Sequence, residues 1–98
     1  MKTTLDIFIA RKVQEIREKR ELTREQLDIK LGFAAGSAFV GHVETDKRTK
    51  YNLYHLNELA RILECSIADF FPFPYDEENS LEKYRAHVAK KKQQNSGK

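Results

Sequence analysis

The sequence predicts an all-α fold of five short helices, and three observations carry that expectation. Apolar residues recur at three- and four-residue intervals in separate blocks. Several blocks open on a Ser, Thr or Asn, the residue types that accept a hydrogen bond at a helix start. No stretch makes a convincing strand, because none sustains the strict apolar and polar alternation of a half-buried one.

The first helix is expected from Leu5 onward, since Leu5, Phe8, Ile9, Val13 and Ile16 share one arc at 100° per residue. Thr3 with Asp6 suits its N-terminus, and Lys19 and Arg20 suit its C-terminus. Ile7 lies off that stripe, at the surface or an interface. The second helix spans about residues 24–31, with Thr23 and Gln26 as a capping box, Leu27 and Leu31 on one face, and Gly32 as its stop. "SAFVGHVET" is expected as the third helix, capped by Ser37, with Val40 and Val43 inward. After the loop "DKRTKYN", "LYHLNELARIL" places Leu53, Leu56, Leu59, Ala60 and Leu63 on one face. Ser66 and Asp69 then start a brief fifth turn ending in Phe70 and Phe71. Pro72 and Pro74 enforce an extended break. Beyond "DEEN", a last helix from Asn79 or Ser80 with Leu81, Tyr84 and Val88 along one side needs something to dock against, and "KKKQQNSGK" reads as a disordered tail. The expected organisation is one domain over residues 1–71, a Pro/acidic linker over 72–79 and a basic C-terminal segment over 80–98.

Ninety-eight residues, 40% of them hydrophobic, suffice for one modest core and argue against a multidomain enzyme. No apolar run is long enough for a membrane span or a secretory signal, and the single Cys65 cannot form an internal disulfide; a soluble, cytoplasmic protein is expected. The net charge of +3 is unevenly spread. Residues 1–50 carry 11 Lys/Arg against 8 Asp/Glu, residues 51–79 carry 1 against 6, and residues 80–98 carry 6 against 1. A polyanion would meet the first half or the tail and be repelled by the middle.

Chemical motifs are few. Gly36 and Gly41 match the glycine spacing of a phosphate-binding loop, but His42 and Val43 stand where its Lys and hydroxyl residue belong. Ser37 lacks the flanking glycine of a nucleophile elbow, Ala35 standing there instead. His42, His55 and His87 occupy separate elements without metal-ligand spacing. Neither a catalytic site, a metal site nor a cofactor is expected.

"V..IR" in the first helix, "LTREQL" into the second, Gly32 at the turn, "V..VE" in the third and "L.ELARIL.CS..DFF" at the close occur in one order over residues 9–71. In this combination the chain resembles the phage-repressor or Cro-like helix-turn-helix family, also called XRE-type. The resemblance implies a five-helix repressor-like bundle whose third helix enters the major groove of double-stranded DNA while the second crosses the backbone. It further implies an ion pair between Arg17 and Glu44, phosphate contacts from Thr23 and Arg24, and backbone contacts from Lys47, Arg48 and Lys50. Two departures stand out. The stretch from Gly32 to Glu44 is two residues longer than the family's usual spacing, and Asp28 replaces the usual small residue against the facing helix. That carboxylate requires either opened packing or a partner.

On the outer arc of the third helix stand Ala38, Gly41, His42 and Thr45, flanked by Ser37. Ser37, His42 and Thr45 can hydrogen-bond, Ala38 suits a thymine methyl, and His42 is the best candidate for a base edge. The expected function is a transcriptional regulator, a repressor by preference, bound to operator DNA as a homodimer through Phe70, Phe71, Phe73 and Tyr75 or the terminal helix. The alternative is an antitoxin-like or scaffold module that turns the third helix and the aromatic segment on a protein partner.

Overall fold

The computed structural model of the chain describes residues 2–78, together with Leu81, Arg85 and Ala89. Over residues 2–78 four α-helices follow in order: α1 (Thr4–Lys19), α2 (Arg24–Lys30), α3 (Phe39–Thr45) and α4 (Leu53–Leu63). The fifth element is a 3-10 turn, Ile67–Phe70, and no strand occurs among the described residues. The all-helical expectation is met, with the last of the five a single tight turn.

Local chemistry sets most of the helix starts. Thr3 with Asp6, Thr23 with Gln26, and Ser66 with Asp69 each form reciprocal capping boxes, as their spacing predicts. Asn52 does the same for α4, where its side chain accepts from the His55 N–H at 2.8 Å and its own N–H donates to His55 Nδ1 at 3.1 Å. In the sequence Asn52 falls within the loop "DKRTKYN", and a histidine is not the usual third-position partner of a capping box.

The core joins α1, α2, α3, α4 and the 3-10 turn through Val13, Leu27, Val40, Val43, Leu59, Leu63 and Phe70, all fully enclosed. Leu53 departs from the expected pattern. It is 65% exposed, because it occupies the first position of α4, where the helix has not yet come against its neighbours. Ile7 is partly exposed, in keeping with its place off the α1 stripe. After the 3-10 turn, Phe71 packs on the core while Phe73 and Tyr75 are 98% and 66% exposed. Asp76 nonetheless holds the chain near α1, accepting from the Thr4 hydroxyl at 2.8 Å. Leu81, Arg85 and Ala89 are helical; Asn79, Ser80, Tyr84 and Val88 of the expected last helix, and the 90–98 tail, lie outside the described residues.

Candidate nucleic-acid interface

α2 and α3 are both seven residues long and are joined by a turn over residues 31–38. Gly32 and Gly36 adopt left-handed backbone at φ +97° and +86°, which a side chain disfavours. With Ala38 also left-handed at φ 57°, three residues of the turn take this conformation. Its two flanking rings, Phe33 and Phe39, stack at 4.5 Å between centroids, and Phe39 in turn lies 4.8 Å from His55 and 5.8 Å from Tyr51. This aromatic cluster closes the base of the turn while Ala34, Ala35, Gly36 and Ser37 stay exposed.

Ser37 does not cap α3. The helix begins at Phe39, its N-cap position is Ala38 at φ 57°, and no side chain of that residue or its neighbour bonds to the first turn. A left-handed Ala38 points the chain in from the wrong side for Ser37 to reach the free amides. Asp28 of α2 supplies the bond instead, its Oδ1 accepting from the Val40 N–H at 2.8 Å. The carboxylate is 2% exposed, and its partner explains how an acidic residue fits where a small one is usual.

The Arg17 and Glu44 pair is present and bidentate, with Nε to Oε2 at 2.9 Å and Nη2 to Oε1 at 3.1 Å. Arg17 Nη1 also donates to the Leu22 carbonyl at 2.7 Å, so one buried guanidinium ties α1, α3 and the start of the α2 segment together. Glu44, its side chain 1% exposed, takes a second cation: Arg24 Nε donates to its Oε1 at 2.8 Å. Arg24 thus leans across α3, its Cδ at 3.7 Å from where a Cβ on Gly41 would stand. A Cβ at 41 would meet that carbon at ordinary contact distance, so the arginine stem passes directly over Gly41.

Of the other sequence-predicted residues, Thr23 caps α2 and is exposed. Ser37 and Ala38 precede α3 and do not lie on it. His42 is exposed, with Nδ1 3.7 Å from Asp46 Oδ2, and Thr45 turns its hydroxyl onto the Gly41 carbonyl at 2.7 Å. Lys47 and Arg48 stand exposed in the loop directly after α3. Lys50 is drawn to Asp6 of α1 at 3.5 Å. Arg24 thus lies over α3 at Gly41 and Glu44, His42 and Thr45 are exposed on α3 itself, Lys47 and Arg48 follow it in the loop, and Lys50 is paired with α1.

Two residues that the sequence reading passed over hold this arrangement. Lys2 Nζ donates to the carbonyls of Val43 and Asp46, closing the C-terminal end of α3. Asp46 accepts from the Arg48 N–H at 2.9 Å, the Thr49 N–H at 2.6 Å and the Thr49 hydroxyl at 2.7 Å. The bonds from Thr49 are the chief cause that lowers its pKa to about 2. The basic loop is thus folded around an ionised carboxylate. Aspartates in loops commonly bond the backbone N–H two residues on, and that habit was the available clue for Asp46.

Lys47 also shares a half-open groove of about 460 Å³ with Lys2, Arg11, Gln14 and the apolar Ile7. Among the described residues no group of three or more His, Cys, Asp or Glu is placed to hold a metal ion, and no helix is long and apolar enough to cross a membrane.

No family model and no curated protein matches the chain. Among solved structures, the chain is similar to the restriction-modification controller protein C.AhdI from Aeromonas hydrophila. The TM-score is 0.56 and the identity 25%, over 66% of this chain and 94% of that one. The two therefore share a helical architecture across nearly the whole of the controller protein.

Proposed function

We propose that this chain is a DNA-binding transcriptional regulator of the repressor-like helix-turn-helix type, reading operator duplex with α3 as a homodimer. The observation that carries the proposal is the likeness to a controller protein over 94% of that protein's length. The geometry is compatible with it, since His42, Thr45, Lys47 and Arg48 are exposed on α3 and the loop after it, Arg24 lies over α3, and Val40 and Val43 on the inner side are buried in the core.

On this reading Thr23, Arg24, Lys47 and Arg48 engage phosphates, and Lys50 joins them only by leaving Asp6. His42 and Thr45 face base edges, with Ser37 and Ala38 at the lip of the turn. The reading inventory is small, so backbone contacts carry most of the affinity. Phe73 and Tyr75 supply apolar surface for pairing two copies, whereas Phe70 is spent on the core and Phe71 largely so.

Selection of bound duplexes from a random pool at two salt concentrations tests the proposal. The expected result is a palindromic consensus and affinity that falls steeply with salt as counterions are released. Lys47→Ala and Arg48→Ala should weaken all duplexes alike, and His42→Ala should change the preferred sequence. No enrichment, or no salt dependence, would sink it. The second reading, a protein-interaction module, draws on the exposure of Phe73 and Tyr75, and a stoichiometric partner protecting residues 37–45 would favour it.

A further inference from the structure

We infer that Asp28 is a positioning residue for α3, a determinant of sequence specificity that need not itself touch DNA. The inference rests on the DNA-binding reading for its consequence, and on four observations for its geometry.

α3 has no cap of its own. Its N-cap residue is Ala38, held left-handed, and the residue before it, Ser37, is exposed and bonded through its N–H to Ala34. Asp28 fills the gap from a different helix, with its carboxylate on the Val40 N–H. The same residue also fixes the other end of the turn, because its backbone carbonyl accepts from the Phe33 N–H at 3.0 Å. One residue of α2 therefore clamps the turn where it leaves α2 and where it enters α3, and the stacked Phe33 and Phe39 rings close the same two points. Between the clamps, residues 34–37 are exposed to solvent.

This arrangement accounts for the lengthened turn. Extra residues within this exposed stretch leave the separation of the clamped ends unchanged, so α3 keeps its position through Asp28 and not through the length of the connection. A buried carboxylate makes a short, directional bond to an amide. Losing the acceptor leaves that amide unpartnered, a penalty that typically corresponds to a change of about tenfold or more in a local equilibrium. α3 would then sample other starting angles, and the small set of side chains on its outer face would lose their register against base edges.

Three variants and a control test this: Asp28→Ala, Asp28→Leu, Asp28→Asn and, within the exposed stretch, Ala35→Ser. Amide hydrogen exchange is read at Val40 against Gln26, the equivalent cap-bonded amide of α2. Affinity is read for the selected duplex against a scrambled one. Asp28→Ala and Asp28→Leu should raise Val40 exchange about tenfold or more relative to Gln26 and lower the selected-to-scrambled affinity ratio by a similar factor. Asp28→Asn, which keeps an oxygen acceptor, should preserve both, and so should Ala35→Ser. Leu fills the space that Ala leaves, so it carries the comparison if Asp28→Ala does not fold. Unchanged Val40 exchange, equal losses on both duplexes, or an Asn variant as impaired as Ala would overturn the inference. If the wild-type chain selects no duplex, the DNA-binding reading fails, and the exchange measurement still decides whether Asp28 positions α3.

Discussion

α2 and α3 have the same length and lie against each other, yet they are anchored by opposite means. α2 carries its instructions in its own sequence: Thr23 and Gln26 cap it reciprocally, and Gly32 stops the chain just past its end. α3 carries almost none. Its N-terminal amide is held by Asp28, its last carbonyls by Lys2, and its Glu44 by Arg17 and Arg24. The helix that crosses behind is locally specified, and the helix that presents the outer face is specified by the rest of the domain. Of its exposed side chains, Thr45 bonds only within the helix, to the Gly41 carbonyl, and His42 lies near Asp46, so neither ties α3 to another element.

The largest expected effect comes from breaking the α3 side of that contrast. Glu44→Ala leaves the buried Arg17 guanidinium without its carboxylate and should lower stability by about 3 kcal/mol in urea unfolding. A loss under about 1 kcal/mol would mean that the apolar contacts of Val40 and Val43 alone hold α3. On the α2 side, Thr23→Ala should lower stability by about 1 kcal/mol, the usual value of one cap, and leave Val40 exchange unchanged. Accelerated exchange at Val40 in that variant would show that the two helices are not anchored independently.

The smallest effect concerns the rings beneath the turn. Burial lowers the His55 pKa from its ordinary value of 6.5, and its Nδ1 accepts a bond that only the unprotonated nitrogen can take. The unfolded chain thus binds the proton more readily. This contribution to stability is full above about pH 6.5 and declines as pH falls through that value toward the lower folded one. Thermal unfolding should occur at a lower temperature at pH 5.5 than at pH 7.5, and His55→Gln should remove part of that difference. An identical pH dependence in the variant would place the effect elsewhere.

How far the sequence could be read follows the same division. Capping boxes act over three residues and apolar stripes over one helix, so Thr3, Thr23, Ser66 and the inward valines were all legible. The Arg17 and Glu44 pair was legible only through resemblance, since 27 positions separate the two. What escaped was chemistry between elements or in unusual guises. Ser37 looked like a cap because serine commonly is one, and only the left-handed Ala38 removes it from reach. Leu53 fits the α4 stripe by angle, but it sits where the helix starts and nothing packs over it. Asp28 announced a need for a partner without naming Val40, because an amide 12 residues away carries no side-chain label.

Gly41 gives the outer face an electrical character that α3's own composition lacks. The helix contains no lysine or arginine, and the guanidinium that reaches it arrives from Arg24 across the space where a side chain is missing. A residue at position 41 therefore governs a charge it does not possess. A bulky side chain there would compete with the arginine stem for the same surface, and where it won it would shift positive potential along the helix without altering the protein's net charge.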